Sequence, residues 1–177
     1  MVVQAALAVL LGKLGGTSDV AVGFPIAGRS DPVLDDLVGF FVNTLVLRVD
    51  VGGEQSFVEL LEQVKASCLE AYANQDLPFE HLVSALSPER SLSYSPLFQV
   101  MFVLHNTAPG TLAPDGVTVE LPEPPCTRIP FDIQLQLFAD GDDIRGSLSY
   151  ASALFDAATL QRWQEALAPA DGLVLRV

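Results

Sequence analysis

The stretch Leu37-Val38-Gly39-Phe40-Phe41-Val42-Asn43-Thr44-Leu45-Val46-Leu47-Arg48 decides how the chain is read. From Val42 to Val49 the residues alternate as a strand requires. Val42, Thr44, Val46 and Arg48 fall on one face, and Asn43, Leu45, Leu47 and Val49 on the other. Asparagine is disfavoured in strands, so Asn43 calls for a reason. Its amide both donates and accepts, which suits a substrate contact, a brace for a neighbouring loop, or the satisfaction of nearby backbone groups.

Upstream, Val3, Leu7, Leu10, Leu11 and Leu14 recur at helical spacing, and Gly15-Gly16 ends that helix. No N-cap residue precedes Val2, so the chain is expected to begin inside a helix. The apolar start lacks a basic segment ahead of it and is too short to cross a bilayer, which makes it a buried helix and not a leader. Val20 to Phe24 reads as a buried strand stopped by Pro25, followed by a polar loop from Gly28 to Pro32. Gly23, Gly28 and Gly39 are turn or close-packing positions. They form no phosphate-binding loop, since no glycine-rich run leads into a helix with a lysine.

Downstream, Ser56 and Glu59 form a capping box for a helix to Tyr72, with Phe57, Leu60, Leu61, Val64, Cys68 and Tyr72 as its apolar stripe. Asp76-Leu77-Pro78 restarts a helix whose buried face is Phe79, Leu82, Val83 and Leu86, with Asp76 serving its start. Leu97 to Leu104 suits a central strand covered on both faces. Phe131 to Phe138 and Ile144 to Tyr150 form a hairpin about Asp140-Gly141. Asp156 caps a last helix, with Phe155 placed to staple onto Leu160. The order of elements predicts an α/β domain, a mixed β-sheet flanked by helices.

Between His105 and Pro130 lie six of the chain's twelve prolines. Loops of this length are uncommon inside compact domains. Val117 to Leu121 is apolar at alternate positions, as in an arm that lends a strand to a neighbouring sheet; a long surface loop is the plainer reading.

Composition removes several functions. Nine Lys or Arg residues are scattered through a chain of net charge −13, which leaves no basic stripe for nucleic acid and none for an anionic membrane. The acidity keeps a chain that is 50% hydrophobic in solution. Two cysteines, Cys68 and Cys126, stand far apart, which argues against a disulfide framework or zinc site and for a reducing, cytoplasmic setting.

Three further stretches, in order, accompany the opening one: Gly23-Phe24-Pro25-Ile26-Ala27-Gly28-Arg29, Asn74-Gln75-Asp76-Leu77-Pro78-Phe79-Glu80-His81-Leu82-Val83, and Ser95-Pro96-Leu97-Phe98-Gln99-Val100-Met101-Phe102. Together they resemble the second half of the condensation domains of nonribosomal peptide synthetases, over nearly the whole chain. The resemblance implies one lobe of a chloramphenicol acetyltransferase-like two-lobe fold. Residues 1–177 would be the C-terminal subdomain, with residues 105–130 as the latch arm that crosses to the other lobe.

It also implies amide bond formation between two thioester substrates. Donor and acceptor carrier proteins would present them on phosphopantetheine arms, and an adenylation domain would lie adjacent. No metal and no directly bound cofactor is implied. The family's His-His-x-x-x-Asp-Gly motif belongs to the N-terminal lobe. The histidines here, His81 and His105, are neither adjacent nor followed by Asp-Gly. No catalytic residue is therefore assigned, and the chain alone is expected not to condense, because general acid–base help is missing. Asn43, Arg29 and Arg48 are the candidates for the substrate tunnel or lobe interface. The two arginines suit carboxylate partners across the junction or loop anchoring. A non-catalytic docking module for carrier or adenylation domains is the alternative. Ordinary condensation fits Asn74 to Val83 better than the epimerising or heterocyclising variants.

Overall fold

The computed structural model describes residues 1–87, 94–105, 129–140, 143–167 and 173–176. Helix α1, Val2–Gly15, ends where Gly16 takes φ 61° and returns its N–H to the Gly12 carbonyl. Strand β1, Asp19–Ile26, pairs antiparallel with β2, Asn43–Asp50, from Asp19 opposite Asp50 to Ile26 opposite Asn43. Helix α2, Phe57–Ala73, starts on the expected capping box, in which Ser56 Oγ accepts from the Glu59 N–H and Glu59 accepts from the Ser56 N–H. Helix α3 is Phe79–Leu86.

Strand β3, Val100–His105, lies parallel to β1 and to β4, Ile133–Asp140. β4 forms the antiparallel hairpin with β5, Asp143–Tyr150, whose last pair is Asp140 with Asp143. Helix α4, Ala157–Leu167, begins where Asp156 Oδ1 accepts from the Thr159 N–H at 2.7 Å. A last strand, β6, Leu173–Arg176, runs parallel to β5. The described strands form one mixed sheet, in the order β2-β1-β3-β4-β5-β6.

The register sets Val22, Leu47, Phe102, Leu135 and Leu148 on one face of the sheet, where they join Leu7 of α1, Leu60 and Val64 of α2, and Leu160 of α4 in a single core. Burying each of these side chains stabilises the fold by about 1.5–3 kcal/mol.

Several expectations change. Pro25 does not stop β1; it pairs with Thr44. β3 pairs with β1 only at Val22 and Gly23, so beyond them β1 has a neighbour on one side, and a strand edge tolerates proline. β3 is central, yet only Met101 and Phe102 are buried, and Leu104 and His105 are exposed at its far end. Phe57 and Tyr72 sit at the two ends of the α2 stripe and are exposed, although the Tyr72 ring still meets Phe24 of β1 edge-on at 5.9 Å. Asp76 does not cap α3: the N-cap is Pro78, with no side-chain cap of its own. Phe155 packs on the core cluster that includes Leu160, in keeping with the expected staple, and its ring also meets Trp163 edge-on at 5.4 Å. β6 had no sequence signal, because four residues are too few for an alternating pattern to stand out. The arm at 105–130 falls almost wholly outside the described residues, as do Cys126 and the hairpin tip.

The other face of the sheet carries an aromatic plug. Phe98 is 1% exposed and lies against Gly23, where an added Cβ would come within 2.3 Å of its ring. Phe79 and Phe131 flank it at 5.7 and 5.4 Å between ring centroids. Phe98 reaches this position through a tight turn in which its N–H donates to the Pro96 carbonyl at 2.9 Å and Leu97 takes φ 70°. A bulky residue is strained there, and the buried ring offsets the strain. Gly23→Ala is expected to lower stability by about 1–3 kcal/mol, since the ring has no free space to move into. A downward shift in the urea midpoint with an unchanged slope is the check.

Candidate functional site

Asn43 opens β2, and its amide reaches across to the turn before α3. Nδ2 donates to the carbonyls of Gln75 at 2.9 Å and Leu77 at 2.8 Å. Oδ1 accepts from the N–H of Thr44 at 2.9 Å and of Phe79 at 3.1 Å. These four bonds use the full capacity of a carboxamide. The bond to Phe79 supplies the cap that Pro78 lacks, satisfying one of the orphan N–H groups of a helix start. Asn43 thus joins the segment ending in Phe-Val-Asn-Thr to the Gln-Asp-Leu-Pro-Phe segment, which the sequence presents as separate motifs.

Around this junction the surface is apolar. Leu37, Val38 and Val42 are exposed, Phe40 is 90% exposed, and Leu77 across the junction is half exposed. Leu82 and Val83 of α3 are only partly covered, and Leu86 is exposed. Large exposed apolar side chains on two segments that Asn43 joins suit a contact surface.

Arg29 lies beneath the same segment. Its Nη2 donates to the Leu37 carbonyl at 2.7 Å, its guanidinium stacks 4.3 Å from the Phe41 ring centroid, and its Nη1 is buried with no hydrogen-bond partner. Gly28 makes the approach possible: it has φ 64°, and a Cβ there would stand 1.8 Å from the Phe41 carbonyl oxygen.

Arg48 is elsewhere. It lies toward the Asp19 end of the β1–β2 ladder and forms a two-point ion pair with Asp19, Nε to Oδ1 at 2.8 Å and Nη2 to Oδ2 at 2.6 Å. So the structure brings Arg29 and Asn43 to one end of the β1–β2 pair and leaves Arg48 at the other. The hydrogen bond from Arg48 holds the Asp19 carboxyl below the usual aspartate range; its slight desolvation opposes this, and the charge of Arg48 adds to it. Both side chains are largely exposed to water, so the contribution to stability is slight. It is present above the ordinary aspartate pKa and fades as pH falls through the lowered one.

His81 is exposed on α3. His105 stacks on Phe138, with 4.4 Å between centroids and 7° between planes. Cys68 is fully buried against Gln4, Sγ to Oε1 3.9 Å, and burial pushes its thiol upward, away from the thiolate a nucleophile needs. Among the described residues no group of His, Cys, Asp and Glu could hold a metal, and no helix is long and apolar enough to cross a membrane.

The sheet, the helices and the four motif stretches define a class. Residues 1–170 match the family model described as Condensation domain. The chain belongs to the condensation domain family. It is 52% identical over 167 residues to the isonitrile lipopeptide synthase of Mycobacterium tuberculosis, covering 90% of this chain and 7% of that protein. It is 45% identical over 167 residues to the dimodular nonribosomal peptide synthase of Bacillus subtilis, covering 91% of this chain and 7% of that one. The chain therefore spans only a small part of its curated relatives. Among solved structures, the X-domain from teicoplanin biosynthesis superposes with a TM-score of 0.75 at 30% identity, over 94% of this chain and 40% of that one. A four-domain nonribosomal peptide synthetase bound to AMP and glycine superposes at 0.77 and 24% identity, over 94% of this chain and 14% of that one, a likeness of fold.

Asn43→Ala removes all four bonds at once and leaves the Phe79 N–H and the Leu77 carbonyl unmatched. The expected loss is about 1–3 kcal/mol, read from chemical denaturation, with faster amide exchange at Phe79 and Thr44. For the ion pair, NMR titration should place Asp19 below ordinary aspartates and return it toward them in Arg48→Gln.

Proposed function

We propose that this chain is the C-terminal lobe of a condensation domain and forms one wall of the tunnel in which two carrier-bound thioesters meet. The observation that carries the reading is the apolar surface built around Asn43, which gives the lobe a face suited to a second lobe. Asn43 braces that face and Arg29 sits behind it, while Arg48 stands apart on Asp19 at the other end of the β1–β2 pair. Residues 105–130 are the latch arm. Donor and acceptor carrier proteins present their substrates on phosphopantetheine arms, which enter as part of the substrate. The adjoining adenylation domain loads the acceptor carrier, and the assembly works in the cytoplasm.

In the reaction, the acceptor amine attacks the donor thioester carbonyl. The new C–N bond forms as the C–S bond breaks, and the donor arm leaves as a thiol with the proton that nitrogen gives up. The paired histidines that assist this transfer belong to the other lobe, since the two histidines here are not adjacent. The contribution of this chain is position and exclusion of water, worth as much as any acid–base group when two bound reactants must meet.

The test is complementation. The chain is mixed with a paired-histidine lobe from a close relative and two loaded carriers, and the dipeptidyl thioester is followed by mass spectrometry. Product with both lobes and with neither alone is the expected result. Product from this chain alone would overturn the reading, and lobe association without product, beside an active intact-domain control, would favour a docking module.

A further inference from the structure

The segment from Leu37 to Val42 is sorted by side. Leu37, Val38, Phe40 and Val42 are exposed, while Phe41 is partly buried and its ring meets the Arg29 guanidinium at 4.3 Å. The guanidinium is turned inward. Nη2 is committed to the Leu37 carbonyl at 2.7 Å, and Nη1 is enclosed without an acceptor, so that nitrogen is closed to a carboxylate on an approaching surface. Beside it, Gly28 at φ 64° brings the two ends of the loop into backbone contact at Phe41.

We propose that Arg29 is a positioning residue: it fixes the outward presentation of Leu37, Val38 and Phe40 to the second lobe and takes no part in the contact itself. This rests on the C-terminal-lobe reading. Arg29 adds one hydrogen bond and one stacked ring to the loop's own bond from the Leu37 N–H to the Leu34 carbonyl at 3.2 Å, against the cost of an enclosed N–H with no acceptor. Loss of the guanidinium contacts loosens the stretch from Val38 to Phe41. Lysine keeps the charge but has no planar face to lay on Phe41 and no fixed fork to reach Leu37, so it does not replace arginine here. A released loop leaves the core intact, because Phe40 and Val38 bury nothing against it; what changes is that the loop must be ordered again on docking.

The experiment measures association of the full chain with the paired-histidine lobe of the M. tuberculosis relative, by biolayer interferometry, beside thermal melting of each variant. Arg29→Lys and Arg29→Gln are expected to weaken association by roughly tenfold or more, the cost of ordering a few freed side chains, with melting unchanged. Phe41→Leu should act in the same direction, and Phe41→Tyr, which keeps a ring under the guanidinium, should bind as wild type. Wild-type affinity in Arg29→Lys and Arg29→Gln overturns the proposal, as does a loss matched by an equal loss of stability. The lobe reading has its own readout: if the unaltered chain fails to associate, or Phe40→Asp binds unchanged, that reading falls and this proposal with it.

Discussion

Four hydrogen bonds from one side chain tie the start of β2 to the turn and helix start at α3, where exposed apolar side chains gather. A helix that starts on proline leaves Phe79 with an N–H and no local acceptor, and the turn before it leaves the Gln75 and Leu77 carbonyls without helical donors. The Asn43 amide, at the first position of a strand more than thirty residues earlier, meets all three and binds the Thr44 N–H besides. No smaller polar side chain has two donors and two acceptor sites in one plane. A carboxylate in its place would face two carbonyl oxygens, and an apolar residue would leave every partner unmatched.

With α3 anchored this way, Phe79 reaches Phe98, and Phe98 fills the space under Gly23. The two features depend on each other. The ring can approach the sheet only because position 23 has no Cβ, and the strained Leu97 turn is tolerable only because the ring is buried. The main core lies on the opposite face under α1, α2 and α4. The sheet thus separates a broad aliphatic core, which sets overall stability, from a smaller aromatic plug, which sets where α3 sits. Damage to the plug would displace α3 and the apolar patch while leaving most of the sheet paired.

The polar residues around this frame divide by how water sees them. Arg48 and Asp19 satisfy each other in solvent at the far end of the ladder, where a salt bridge contributes little. Arg29 is half-buried, with Nη1 enclosed and Nη2 on the Leu37 carbonyl. Cys68 and Gln4 meet inside the core with no access to a substrate. None of the described groups forms an acid–base pair.

The sequence by itself determined the periodic elements, because helix and strand burial write themselves into spacing. The α2 stripe, the Ser56–Glu59 box, the Asp156 cap and the β4–β5 hairpin are local patterns within a few residues of one another. It also determined the family, since ordered motifs survive without any knowledge of their contacts. What only the tertiary structure decided are relations across distance. Pro25 continues β1 because β3 has already left its side, and β6 is a strand because β5 offers an edge. Asn43 and Arg29 could be picked out as polar residues in unusual settings, but their roles could not. A hydrogen bond between residues 43 and 79, or a guanidinium laid under a ring twelve positions on, has no periodicity and leaves no mark on spacing; it exists only once the chain has folded back on itself.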